Sequence, residues 1–211
     1  MTSRRTALSA VVFLVAFIAG VFLDNDPDTD ASAATFTRYY ASHDHRVQMI
    51  LSAALLSLAA LAWVVTVGGL RDRVGDGTAA RIATSGAAVT AALIGVAATL
   101  LSAIPAAMAF GGAPEPSADL ARFLPQAGYM ALTFMAMPAA ALTVAAISVA
   151  ALRANALPRW LAYAGFAAAV LLLASFVFFP MAALVVWVVA TAVVLARRPL
   201  RIPLPATASA R

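Results

Sequence analysis

The feature that most constrains this chain is a run of 37 residues, 160–196, without one charged side chain. As a single helix it would be ~55 Å long at 1.5 Å per residue, whereas the hydrocarbon core of a bilayer is only ~30 Å thick. Pro180 divides the run into 161–179 and 181–196, each ~24–28 Å long by the same rise. That predicts two membrane spans joined by a very tight turn, the second short enough to require local bilayer thinning.

Four further apolar runs share this character, and they predict spans at about 7–23, 47–70, 82–107 and 126–152. Hydrophobic residues are 64% of the chain, charged residues 11%, and the mean hydropathy is +0.94. A soluble domain carries roughly a quarter charged residues. The expected fold is therefore all-α, a single polytopic transmembrane bundle of six helices over residues 1–211, with polar segments at 24–46 and 111–125 and a disordered tail at 202–211. The first run follows Arg4 and Arg5 as a signal peptide would, but it exceeds the 7–15 apolar residues usual there. It reads as an uncleaved first helix.

Arginine placement orients the bundle. With six spans, Arg4, Arg5, Arg71, Arg73, Arg81, Arg153, Arg159, Arg197, Arg198 and Arg201 share one side. Arg38, Arg46 and Arg122 fall on the other, with seven of the nine acids. Cytoplasmic loops collect Lys and Arg, so both termini are expected in the cytoplasm of a bacterial inner (plasma) membrane protein. The net charge of +5 is spread over short connections and forms no basic face, which argues against nucleic acid as a partner. Cysteine and lysine are absent, so disulfides, thiol chemistry and a lysine Schiff base are excluded.

The stretches Leu152-Arg153, Ala156-Leu157-Pro158-Arg159-Trp160-Leu161 and Gly165, with a last helix carrying Trp187 and ending in Arg197-Arg198, resemble uncharacterised actinobacterial six-helix integral membrane proteins. The acidic first outer segment followed by Tyr39-Tyr40 fits the same group. The resemblance implies an architecture and no catalytic residues.

Within the predicted spans there is no Asp, Glu, Lys, Arg or His away from the ends. Such residues mark proton relays and ion pathways, so their absence argues against a proton-coupled pump or transporter. The polar set at depth is Thr and Ser with Tyr163, residues that bond back to their own helix or across to a neighbour. Chemistry is then confined to the outer polar segments. Asp24, Asp26, Asp28 and Asp30 alternate as in a calcium loop, but Thr29 and Thr35 occupy the sixth and twelfth positions, where an EF-hand needs Gly and Glu. Ser32 is a candidate N-cap, and 33–46 contains no helix breaker, which predicts one helix running on into the second span. On it Tyr39, His43 and Arg46 share a face. The segment 111–125, with a short helix capped by Ser117, returns Glu115, Asp119 and Arg122 to the same boundary. Arg46 is expected to pair with Glu115 or Asp119. His45 and Met49 stand one turn apart, and imidazole with thioether suits copper or haem iron; methionine is also a common gap-filler, and no cofactor is assigned on that basis.

These readings give a non-catalytic accessory protein that binds the lipid bilayer and either a membrane partner protein, a second copy of itself, or an apolar small molecule between the third and fourth spans, where Pro105 and Pro138 distort the helices. The alternative is an enzyme or transporter, metal-dependent in one version, whose working groups are His43, His45, Arg46, Glu115, Asp119 and Arg122.

Overall fold

A computed structural model describes residues 3–23, 27, 30–175 and 179–197. Every regular element among them is helical: α1 (Ser3–Leu23), α2 (Ala33–Ala41), α3 (His43–Val74), α4 (Thr78–Gly111), α5 (Ala118–Met130), a π-helical turn (Ala131–Ala136), α6 (Met137–Ala154), α7 (Arg159–Leu173), a 3₁₀ turn (Phe179–Met181) and α8 (Ala182–Arg197). Four continuous helical stretches are long and apolar enough to cross a membrane: Ser3–Leu23, His43–Val74, Thr78–Gly111 and Ala118–Ala154. The helices α7 and α8 are apolar but shorter.

Six helices form a ring in chain order: α1 packs on α3, α3 on α4, α4 on α6, α6 on α7, α7 on α8, and α8 closes back on α1. Helix α3 also touches α6 across the ring. Neighbours run antiparallel. Near one end Thr66 bonds Ser9 at 3.0 Å; near the other Ser52 donates to the Gly20 carbonyl at 2.7 Å and Gln48 to the Leu23 carbonyl at 2.8 Å. The ring buries Phe13, Trp63, Leu56, Ile94, Met137, Ile147 and Leu172, and turns apolar side chains outward, among them Phe22 at 77% and Val170 at 68% exposure. In water that outer surface would be an aggregation liability; against hydrocarbon it is the expected boundary.

The seams are closed by small residues, as membrane helix pairs require. A β-carbon added at Gly165 of α7 would lie 2.1 Å from Ser148 Oγ of α6 and 2.9 Å from Trp187 Nε1 of α8. One at Gly86 of α4 would lie 2.5 Å from Thr143 Oγ1 of α6. The Ser and Thr hydroxyls at depth mostly bond back to their own helices: Thr90 to Gly86, Thr143 to Ala139, Ser148 to Val144 and Thr191 to Trp187, all at 2.7–2.9 Å.

Three boundaries differ from those read in the sequence. The fourth span starts at Ala118, capped by Ser117, and runs through Pro125 instead of beginning after it. Pro125 is buried within the helix. Further along, Pro138 has no amide, and the helix shifts register ahead of it: Met137 N–H donates to the Leu132 carbonyl five residues back. In that register the donor for the Thr133 carbonyl would be residue 138, a proline. Ser175, fully buried, supplies one instead, with Oγ 3.0 Å from Thr133 O and 2.7 Å from Leu172 O. Helix α7 ends at Leu173, short of the expected 179, and the turn at Pro180 is 3₁₀. The third difference is a break at Ser42, which re-forms the outer end. The tail 202–211 and Asp24, Asp26 and Asp28 lie outside the described residues.

Candidate functional site

The ring has two unlike ends. One collects Arg4, Arg5, Arg71, Arg73, Arg81, Arg153, Arg159 and Arg197, and is called here the basic end. The opposite end carries Asp30, Asp44, Glu115 and Asp119 with Arg38, Arg46 and Arg122.

At the acidic end, the short helix α2 packs against α3 and against α5, the start of the fourth long helical stretch, and forms a cap there. Ser42 is at once the C-cap of α2 and the N-cap of α3: its backbone is extended (φ −68°, ψ 123°), its amide donates to Tyr39 O, and its hydroxyl accepts from the His45 amide at 3.5 Å. One extended residue redirects the chain. Tyr39 therefore does not share a helix face with His43 and Arg46. It lies flat on His45 instead, ring centroids 4.4 Å apart and planes 17° from parallel. Phe36, Tyr39, Tyr40, Met49, Ile104 and Ala121 bury one another in a small second core beneath the cap.

The two outer segments meet, as expected, but through other residues. No ion pair joins Arg46 to Glu115 or Asp119, both of which are exposed. Arg46 is half-buried, with its Nε unpartnered among the described residues. Arg122 makes the junction: its Nη2 donates to the Ala31 carbonyl and its guanidinium carbon sits 5.4 Å from the centre of the Phe36 ring. A half-buried arginine over an aromatic face is attracted by the ring quadrupole, and here the ring belongs to the other segment. His43 is exposed and separate from these contacts. His45 Nδ1 is buried without a hydrogen-bond partner among the described residues, and Met49 lies one turn further along in the second core. No group of three His, Asp or Glu residues converges among the described residues. The predicted site residues are thus divided between a packed cap (Tyr39, His45, Met49, Arg122) and a dispersed surface (His43, Glu115, Asp119).

The open space lies elsewhere. Between α4 and α6 a groove of about 440 Å³ is lined by Thr78, Arg81, Ile82, Ser85, Gly86, Val89, Ala139 and Leu142. These are the third and fourth spans, the pair expected to part. Of the two prolines, only Pro138 adjoins the groove, next to Ala139. Pro105 is ~28 Å along α4 from Gly86 at 1.5 Å per residue and plays no part. The groove exists because α4 and α6 meet at Gly86 and Thr143, and the side chains flanking that contact are small or turned outward: Val89 is 50% and Leu142 56% exposed. Composition could not reveal it, since Ala recurs in every span and Gly in all but the last.

A second cavity, of about 220 Å³, adjoins the groove at the basic end and shares Thr78 with it; Gly75, Asp76, Gly77, Ala79, Ala80, Ala150 and Arg153 also line it. It is floored by the α3–α4 turn, where Gly75 takes φ +78°, a left-handed conformation that favours glycine. Asp76 is paired with Arg71 at 2.6 Å.

Among the described residues the protein is thus all-helical, with four helical stretches long and apolar enough to cross a membrane, a capped acidic end and a groove between α4 and α6 towards the basic end. No family model, curated protein or solved structure matches the chain.

Proposed function

We propose that the protein is a non-catalytic, six-span binding protein of a bacterial inner membrane that holds an apolar small molecule in the groove between α4 and α6. The observation that carries this reading is the groove itself, open to the side on which the bundle turns its apolar residues to lipid. Ligand sites in helical membrane proteins are built between helices and are largely apolar with a few polar groups, a description that fits Ile82, Gly86, Val89, Ala139 and Leu142 with Thr78, Ser85 and Arg81. In this reading α7 and α8 complete the membrane ring, the arginine-rich end faces the cytoplasm, and the cap formed by α2 and α5 covers the other side. The resemblance to actinobacterial six-helix proteins supports the same architecture. The packed second core under the cap favours a lid over a catalytic surface at that end.

The test uses the full chain, extracted in a mild neutral detergent and examined by native mass spectrometry. The parent protein is expected to retain a bound apolar molecule, and Leu142→Trp, which fills the groove from its exposed wall, is expected to lose it. Equal carry-over by both proteins would refute the groove as the binding site.

A further inference from the structure

The groove and the smaller cavity together have the form of a site for a molecule with two unlike ends. From Thr78 to Val89 the groove follows α4 for ~16 Å at 1.5 Å per residue, and its deeper wall is Ile82, Gly86, Val89, Ala139 and Leu142. Thr78 also lines the second cavity, which lies at the level of the bundle end, between the first turn of α4 and the last turn of α6. Two arginines stand there, Arg81 on the groove and Arg153 on the cavity, both exposed, and neither guanidinium makes a hydrogen bond or ion pair among the described residues. Asp76 also lines the cavity, but Arg71 already matches its charge. The first-turn amides of α4 add unpaired donors, because its N-cap is Gly77 and offers no side-chain acceptor.

An arginine at either position has an ordinary explanation by itself. Arg153 complements the C-terminal dipole of α6, and Arg81 marks the end of a span. Their convergence from two helices on adjoining cavities that share Thr78 is not required by either role. A neutral apolar ligand would use the groove and leave both charges idle at its mouth. A free anion would use the charges and leave the groove unfilled. A phospholipid from the leaflet on the basic side, entering laterally from the surface that already faces hydrocarbon, uses both.

We propose that the site binds an anionic phospholipid, one acyl chain lying in the α4–α6 groove and the phosphate of the headgroup held between Arg81 and Arg153. This rests on the groove being the binding site and adds the headgroup charge as the selective element. A basic side chain near a membrane surface contributes about fivefold toward an anionic lipid, so two contribute about twenty-fivefold.

Native mass spectrometry of the full chain in neutral detergent, titrated separately with phosphatidylglycerol and phosphatidylcholine of identical acyl chains, reads that number. Phosphatidylglycerol is expected to bind about twenty-fivefold more tightly. Combining Arg81→Gln with Arg153→Gln should bring the ratio close to one, with phosphatidylglycerol losing more than phosphatidylcholine, whose phosphate charge is already matched by its own choline. Leu142→Trp should abolish binding of both lipids, with Val89→Trp as the second variant should the first not fold. Equal affinities in the parent, or a preference that survives the double glutamine variant, would overturn the headgroup assignment and leave the groove reading standing. Binding of both lipids untouched by the tryptophan variants would overturn the groove and the headgroup together. Displacement of phosphatidylglycerol by inorganic phosphate at equal concentration would show that the acyl chain contributes nothing and overturn the proposal.

Discussion

Replacing Ser175 with alanine tests whether Pro138 and the end of α7 form one device. The proline removes the amide that would serve the Thr133 carbonyl in the π register, and Ser175 Oγ lies 3.0 Å from that oxygen. A hydroxyl has one proton, however, and Leu172 O is closer, at 2.7 Å. Two outcomes follow from the two acceptors. If the proton is shared with Thr133, Ser175→Ala strands a buried carbonyl. The stranding of a buried acceptor costs ~1–3 kcal/mol, and hydrogen bonds between membrane helices average ~0.6 with a maximum near ~1.7 kcal/mol, so a loss of about 1–1.5 kcal/mol is expected. In a Pro138→Ala background the new amide at 138 can reach Thr133 O, or Phe134 O once the helix returns to α register. The same Ser175→Ala change should then cost only a few tenths of a kcal/mol, a coupling of about 1 kcal/mol in a double-mutant cycle. Reversible unfolding in mixed micelles of neutral detergent and sodium dodecyl sulfate provides the four free energies. Equal costs in both backgrounds would show that the hydroxyl serves only Leu172, within its own helix, and that Pro138 is satisfied by other means.

Two other perturbations reach separate parts of the molecule. Gly165→Ala gains up to ~1 kcal/mol of helix propensity but places a carbon 2.1 Å from Ser148 Oγ; overpacking at ~1–3 kcal/mol should win, giving a net loss in the same unfolding assay. Ser148→Ala should restore part of it, because Trp187 Nε1 at 2.9 Å and Ser148 Cβ at 3.3 Å remain, and full additivity of the two changes would contradict the contact. For topology, the native absence of cysteine allows single probes: Asp76→Cys and Ala156→Cys should resist a membrane-impermeant thiol reagent in intact cells, while Ser117→Cys should react, and labelling of Ala156→Cys from outside would refute the six-span threading.

Long apolar runs fix spans because hydrocarbon selects locally, residue by residue, and so α1, α3, α4 and α6 lie where hydropathy puts them. Boundaries set by tertiary demand were not legible. Just past the end of α7, Ser175 Oγ comes within 3.0 Å of the Thr133 carbonyl, 42 residues earlier in the chain on another helix. Helix α5 starts at its Ser117 cap and runs through Pro125, which is buried. At the acidic end the signal was present and outweighed. Ser42 followed by Asp44 is an N-cap with an acid in the first turn, yet without Gly or Pro the stretch read as continuous helix. Every face relation drawn across residue 42 then failed together. Arg46 was aimed at acids it does not meet, and Tyr39 at His43 instead of His45.

The same logic explains why Arg81 on the groove and Arg153 on the second cavity are not legible as a pair. In sequence, Arg81 and Arg153 each sit at the end of a span, where arginine serves topology. A local reading therefore has no reason to ask more of them. Their second relation is purely spatial. It arises because α4 and α6 are antiparallel neighbours held at Gly86 and Thr143, so that the first turn of one and the last turn of the other stand at the same level. Topological arginines are free to appear anywhere within a loop. These two sit on adjoining cavities joined at Thr78, beside a turn whose acid is already paired to Arg71. Under the proposed lipid assignment, arginines that serve threading also serve recognition with no change in the pattern the sequence displays, and a variant that keeps most of the basic end, such as Arg81→Gln among eight arginines there, separates the two roles.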